Sequence, residues 1–306
     1  MDTAIEQSEF TNILVCSLES ETIDGYLRYT WIRDIYADNP NVRVIHCNDD
    51  LPQYPEEHPD FWAIWYDVVY SRIDDLDVLF TSEDYGEPFS KVLGIQHVLV
   101  DKERTTIPVS GTAIRNNPIE NWEYIPDSIK PYFIKKIVIM GAESTGKSTL
   151  VKRLAEHYNT IYVEEFGRTY TENLDSIYDL SRNEFDHIAI QHSLSIDENV
   201  NHANKFIFVD TEAITTKKFA KVYTGEDFES ESMEYIINEF PFDLTILLNN
   251  DVPYVNDGLR LPEDVRDGFT EYYKNELEKY GIPYHFIGGT FDERFNQVVN
   301  IIDSTF

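Results

Sequence analysis

One segment constrains this chain more than any other: Gly141-Ala-Glu-Ser-Thr-Gly-Lys-Ser-Thr149, entered from the apolar run Ile137-Val-Ile-Met140 and left through STLVKRLAEHY, whose apolar spacing is helical. Strand, glycine-rich loop and helix in that order, with the spacing G-x-x-x-x-G-K-[ST], predict a phosphate-binding loop on an α/β sheet. Gly141 and Gly146 let the backbone turn sharply. The N–H groups of Glu143, Ser144 and Thr145 then point inward, and the helix that follows presents its positive end. On this reading Lys147 reaches the β- and γ-phosphates of ATP and Ser148 places its hydroxyl on Mg²⁺, while Thr149 caps or packs at the end of the loop.

The rest of the chain is consistent with that setting. Short β-branched runs alternate with longer amphipathic ones, and the pattern occurs twice, which predicts two doubly wound α/β domains. The first series places strands at Asn12 to Leu18, Val42 to Cys47, Val78 to Ser82 and His97 to Asp101, with helices near Gly25 to Tyr36 and Pro59 to Arg72. The second places strands at Ile137 to Met140, Ile161 to Glu164, Phe206 to Asp210, Leu244 to Leu248 and Pro283 to Ile287. Between them, Asn116 to Phe133 is rich in proline and aromatic residues and reads as a rigid, packed connector. The expected division is 1–132 and 133–306, and 306 residues suffice for two cores.

Carboxylates stand where ligands meet such sheets. Phe206 to Val209 runs into Asp210 at the carboxyl end of a strand, where a carboxylate holds Mg²⁺ through water; the alternative is a helix-capping Asp, with Glu212 a weaker metal candidate. Val163-Glu-Glu-Phe-Gly-Arg-Thr-Tyr170 ends another strand with Glu164, Glu165 and Arg168. An acceptor hydroxyl needs a carboxylate to orient it and take its proton, so Glu165 and Asp210 compete for the role of base. Arg168 serves the acceptor or a phosphate, or else forms an ordinary surface ion pair. Arg260 and Arg266, in a polar loop with Gly258 as a hinge, suit a lid that closes on the transferring phosphoryl group, against the alternative of a solvated loop. In the first half, Ser110, Thr112 and Arg115 lie at the start of a predicted helix, where hydroxyls and N–H groups can hold phosphate.

Composition removes several function classes. Lys and Arg total 25 against 56 Asp and Glu, a formal charge of −31 that repels nucleic acid and anionic membranes. Cys16 and Cys47 make no disulfide framework and have no neighbours at metal-ligand spacing. No apolar run reaches membrane-spanning length and no signal peptide is evident, so a soluble cytoplasmic protein is expected. No internal repeat or heptad run is present. The sequence leaves homo-oligomerisation open.

VSGTAIRNNPIENWEYIP, the loop with its helix, VEEFGRTY, FVDTEAITT and NDGLR, in that order, resemble the bifunctional NadR family over essentially the whole chain. The resemblance implies a nicotinamide mononucleotide adenylyltransferase domain followed by a ribosylnicotinamide kinase domain, with nicotinamide riboside, nicotinamide mononucleotide and ATP as ligands. It gives Lys147, Ser148, Asp210, Glu165 and Arg260 kinase roles, and Ser110, Thr112 and Arg115 a place in the first nucleotide site. The family opens with a strand and a G-x-F-x-P-x-H-x-G-H type motif, whereas MDTAIEQSEF resembles the helix after it. The expectation is a first domain short of one central strand, impaired in adenylyl transfer, through either an internal start or a real loss. No helix-turn-helix module of the kind some relatives carry is seen, so direct DNA binding is not expected. Two further readings stay open: a nucleotide-sensing regulator, and a kinase of another nucleoside.

Overall fold

The computed structural model describes residues 1–18, 20–172, 180–252 and 263–306, the side chains of 263–267 excepted. The chain divides into two compact units, Met1–Ile129 and Lys130–Phe306.

The first unit contains α1 (Asp2–Gln7), β1 (Thr11–Cys16), α2 (Gly25–Ile35), β2 (Val42–Cys47), α3 (Phe61–Tyr70), β3 (Val78–Thr81), α4 (Gly86–Leu93), β4 (Gln96–Leu99) and α5 (Gly111–Asn116). Its strands form two parallel pairs, β1 with β2 and β3 with β4, which are separate sheets. The sequence reading describes one doubly wound sheet; here β1 and β3 are not hydrogen-bonded to each other. Both pairs still use one helical layer. Val69, Phe89 and Leu93 form a buried cluster against which Leu14 of β1, Leu79 of β3, Trp62 and Trp65 pack. Local signals set the helix ends: Asp24 accepts from Leu27 N–H at 2.9 Å to start α2, and Gly94, at φ 73°, ends α4 where a side chain would be strained.

The second unit contains α6 (Lys130–Phe133), β5 (Lys135–Gly141), α7 (Lys147–His157), β6 (Tyr162–Val163), α8 (Phe166–Thr171), α9 (Arg182–Val200), β7 (Phe206–Asp210), α10 (Ala213–Thr224), α11 (Glu231–Glu239), β8 (Leu244–Leu248), α12 (Glu263–Lys279), β9 (His285–Ile287) and α13 (Phe291–Thr305). The five strands make one parallel sheet in the order β6-β7-β5-β8-β9. Strands covered on both faces should be continuously apolar, and Ile137, Val138, Ile139 and Met140 are all fully buried, as are Ile207, Phe208, Val209 and Ile246 to Leu248. At roughly 1.5–3 kcal/mol for each large apolar side chain buried, these three central strands are the main favourable contribution to the unit. Capping boxes begin the longer helices: Ser181 with Glu184 at α9, and Thr290 with Glu293 at α13. Neighbouring strand order around β5 puts the ends of β7, β5 and β8 side by side at the carboxyl edge, with Ile139 opposite Asp210 and Gly141 opposite Leu248.

Candidate active site

At that edge β5 turns directly into α7. Gly141 adopts φ 152°, and a Cβ there would lie 2.8 Å from Thr145 Oγ1 and 3.1 Å from Leu248 Cβ; Gly146 adopts φ 87°, and a Cβ would come within 2.3 Å of the Phe291 ring. Both positions therefore admit only glycine. The loop is braced from inside: Thr145 Oγ1 donates to Ala142 O at 2.7 Å, and the ammonium of Lys147, a residue only 8% exposed, donates to the same carbonyl at 3.1 Å. Ser148 Oγ donates to Asp210 Oδ2 at 2.5 Å, which joins the loop to the end of β7. Glu143 and Ser144 are half-buried in the loop, and Thr149 is exposed on the first turn of α7.

Asp210 is buried, and its Oδ1 has no hydrogen-bond partner. Orphaned buried carboxylate oxygens call for a cation or an ordered donor. A serine hydroxyl and a carboxylate are hard oxygen donors of the kind Mg²⁺ takes, with its remaining positions filled by water and phosphate, so Ser148 and Asp210 fit that ion. Capping of the next helix falls to Glu212 instead, whose carboxylate accepts from Ile214 N–H at 2.6 Å and Thr215 N–H at 3.1 Å. Burial nevertheless pushes the Glu212 carboxyl up to about 7, against the pull of those N–H groups.

The two carboxylates at the end of β6 have separate surroundings. Glu164 pairs with Lys152 at 2.9 Å on the surface. Glu165, at the start of α8, is partly buried; that burial raises its carboxyl above the usual range, and Lys147 opposes the rise. Arg168 is half-exposed and lies 3.9 Å from Glu165. Arg260 and Gly258 lie outside the described residues, as does the side chain of Arg266. In the first unit Ser110 Oγ accepts from Ala113 N–H at 3.0 Å and so caps α5, and Thr112 Oγ1 accepts from Arg115 Nη2 at 3.3 Å.

Sequence reading missed two residues that hold this edge together. Arg294, on α13 and 1% exposed, donates from Nη1 to Thr145 O at 2.5 Å, from Nη2 to Asn249 O at 3.0 Å and from Nε to Gly289 O at 2.8 Å, and it also pairs with Asp251. His192, on α9, donates from Nε2 to Thr211 O at 3.2 Å, and Thr211 sits at φ 71° between Asp210 and Glu212. Neither has a local motif, because Arg294 reaches the carbonyls of Thr145 and Asn249 as well as that of nearby Gly289, and His192 reaches that of Thr211, 19 residues away.

A parallel sheet with β5 at its centre, a glycine-bounded loop running into α7, and Lys147, Ser148 and Asp210 gathered at the carboxyl edge define a P-loop enzyme of the kinase type. In agreement, residues 136–294 match the model of the AAA domain family. The chain is 36% identical to "Trifunctional NAD biosynthesis/regulator protein NadR" of Salmonella typhimurium strain LT2 over 93% of its own length and 70% of the relative's. It is equally identical to the protein of that name from Escherichia coli K12, over 90% of this chain and 68% of that one. The chain belongs to the NadR family. Its fold matches a crystal structure of NadR protein in complex with NR at a TM-score of 0.75, 23% identity and coverage of 99% of this chain and 90% of that one. A crystal structure of NadR protein in complex with NAD and AMP-PNP matches at 0.77 and 22%, with the same coverage.

Proposed function

We propose that this protein transfers the γ-phosphoryl group of ATP to the 5′-hydroxyl of nicotinamide riboside, giving nicotinamide mononucleotide and ADP. The observation that carries the reading is the meeting of Lys147 and the Ser148–Asp210 pair at one sheet edge, with partly buried Glu165 at the end of neighbouring β6, in a chain 36% identical to NadR over nearly its whole length.

Each residue has a distinct task. The loop N–H groups and Lys147 bind the phosphates, and Lys147 exchanges the Ala142 carbonyl for phosphate oxygens as charge develops on them. Ser148 and Asp210 would hold Mg²⁺, which when bound would supply charge neutralisation to the phosphates. With Asp210 and Ser148 given to the ion, Glu165 is the carboxylate assigned to accept a hydrogen bond from the acceptor hydroxyl and take its proton as the new P–O bond forms and the bond to ADP breaks. Arg168 positions Glu165 from 3.9 Å, and Arg260 covers the transferring group. On this reading 133–306 carries this chemistry and 1–132 is the adenylyltransferase-like part, with Ser110, Thr112 and Arg115 in its nucleotide site. The acidic surface and these ligands suit small molecules, not nucleic acid, in the cytoplasm; among the described residues no helix is long and apolar enough to cross a membrane.

The test is conversion of nicotinamide riboside to its mononucleotide by purified protein with ATP and Mg²⁺, beside Lys147→Ala, with NAD followed in the same samples. Lysine-dependent mononucleotide is the expected product, at least about 10²-fold faster in the parent, as for loss of one charge-stabilising donor. Nucleotide binding without any such product would refute a kinase and point to a sensor, and product from another nucleoside alone would refute the acceptor assignment.

A further inference from the structure

We propose that the second unit holds another small-molecule site beneath its sheet, for an uncharged planar molecule that donates an N–H hydrogen, and that occupancy of this site is felt at Asp210. A cavity of about 280 Å³ lies under β5 and β8 among α9, α10, α11 and α12. That is close to the lower end of ligand pockets, about 300–1,000 Å³. It is distinct from the phosphate loop. Its lining runs along β5 from Lys136 to Met140, the residue before the loop leaves the strand at Gly141. None of Gly141 to Thr149 lines it.

The walls are mostly aliphatic and aromatic, with Val138 and Met140 presented from the same strand face. Such walls favour an apolar body, with Lys136, Asp197 and Glu212 among the ionisable groups of the lining. The polar groups of the lining decide the rest. His192 lines the cavity and is 4% exposed. Its Nε2 faces the Thr211 carbonyl at 3.2 Å, and a carbonyl can only accept, so Nε2 carries the hydrogen. Burial lowers the ring's pKa, which keeps it neutral. Nδ1 is then a bare lone pair, and it has no partner. Glu212, also in the lining, has both carboxyl oxygens engaged by the Ile214 and Thr215 N–H groups of α10. An unpartnered Nδ1 lone pair in the lining of a mostly apolar cavity calls for a flat, largely apolar molecule with an N–H group.

The link to the chemistry is short. His192 and Glu212 flank Thr211, whose left-handed backbone conformation is unusual for a β-branched residue, and Asp210 is the preceding residue. A donor on Nδ1 would make Nε2–H a stronger donor to the Thr211 carbonyl, and so tighten the turn that carries Asp210.

Benzamide is the probe, measured by calorimetry and ligand-observed NMR on the full chain with saturating nicotinamide riboside and a nonhydrolysable ATP analogue. Those ligands block the catalytic edge, so a site there cannot explain the signal. Saturable binding is expected, at least tenfold tighter than for fluorobenzene, which lacks the donor, and for benzoate, which is an anion. Binding should weaken at least tenfold in Ser193→Trp, which fills the cavity from α9, and in His192→Phe, which removes the acceptor and keeps the ring. Circular dichroism and ATP affinity confirm that each variant is folded. Benzamide should also change kcat twofold or more in the parent and not in Ser193→Trp. No saturable binding, equal binding of fluorobenzene, or binding unaffected by either substitution would overturn the site; binding with unchanged kcat would overturn its link to Asp210. These readings do not depend on which nucleoside the catalytic edge accepts.

Discussion

Replacing Arg294 by Met tests how the phosphate loop is held. Methionine keeps the reach and apolar stem of arginine and deletes the guanidinium, so the three carbonyls of Thr145, Asn249 and Gly289 lose their donor in a place only 1% exposed. Each lost hydrogen bond to a charged donor is worth about 1–1.5 kcal/mol net when the acceptor keeps a second lone pair free. Asp251, 36% exposed, can turn to water and adds little. The sum is about 3–5 kcal/mol, the range for breaking a buried charged network, and a large part of the 5–15 kcal/mol that a domain has in all. Urea unfolding at pH 7 measures it, and the chain supplies its own reference. Trp31, Trp62, Trp65 and Trp122 are the only tryptophans and all lie in the first unit, so indole fluorescence follows that unit and circular dichroism follows both. The expected result is a lower midpoint for the second unit, an unmoved indole transition and weaker ATP binding. Acid unfolding gives a second readout. Partial burial pushes the Asp251 carboxyl up, but Gly289 N–H and the Arg294 guanidinium outweigh it and hold the group below its ordinary value of 3.8. That stabilisation is present above pH 3.8 and lost as pH falls through the lowered value, so Arg294→Met should be less acid-dependent there. A loss under about 1 kcal/mol, or equal shifts of both transitions, would refute the reasoning.

Asp210→Asn should lower kcat about 10²–10³-fold while leaving the melting temperature within a few degrees, because an amide keeps an acceptor for Ser148 and removes an unneutralised buried charge; a coupled assay of ADP release with a thermal scan decides it, and near-parental kcat would contradict the role given to Asp210. Glu212→Gln should stabilise the second unit by about 3 kcal/mol at pH 8 and hardly at pH 4, since a carboxyl raised from 4.5 to about 7 contributes stability that is full below 4.5 and lost as pH rises through 7. Urea midpoints at both pH values test this, and parallel pH profiles in parent and variant would contradict it.

The sequence is most legible where one local pattern carries the physics. Val42 to Cys47, Phe206 to Asp210 and Leu244 to Leu248 are short apolar runs bounded by polar residues, and they form strands with those bounds. Glycines 141 and 146 stand out because their spacing is tied to a backbone path that no other residue can follow. Elsewhere local pattern is not enough. The strand expected over Pro283 to Ile287 begins only at His285, as proline carries no N–H for a ladder. Sequence ranks Asp210 above Glu212 for the metal but leaves Asp210 open as the helix cap, and only three-dimensional placement gives the cap to Glu212 and the Ser148 contact to Asp210. Arg294 and His192 leave no trace at all, because a carbonyl has the same chemistry in every residue and so imposes no pattern on its partner.

The contact between Arg294 and Thr145 spans 149 residues of chain. On a ribosome adding about 5–20 residues per second, the loop emerges and then waits about 7–30 s before the arginine that braces it has been made. The flanking strands of β5 arrive within the same interval, β7 from Phe206 and β8 from Leu244. The nascent protein must therefore pass through a period in which the nucleotide-binding residues exist but their scaffold does not. Chains halted between β8 and α13 would carry the most recognisable motif of the protein without the ability to hold it in shape.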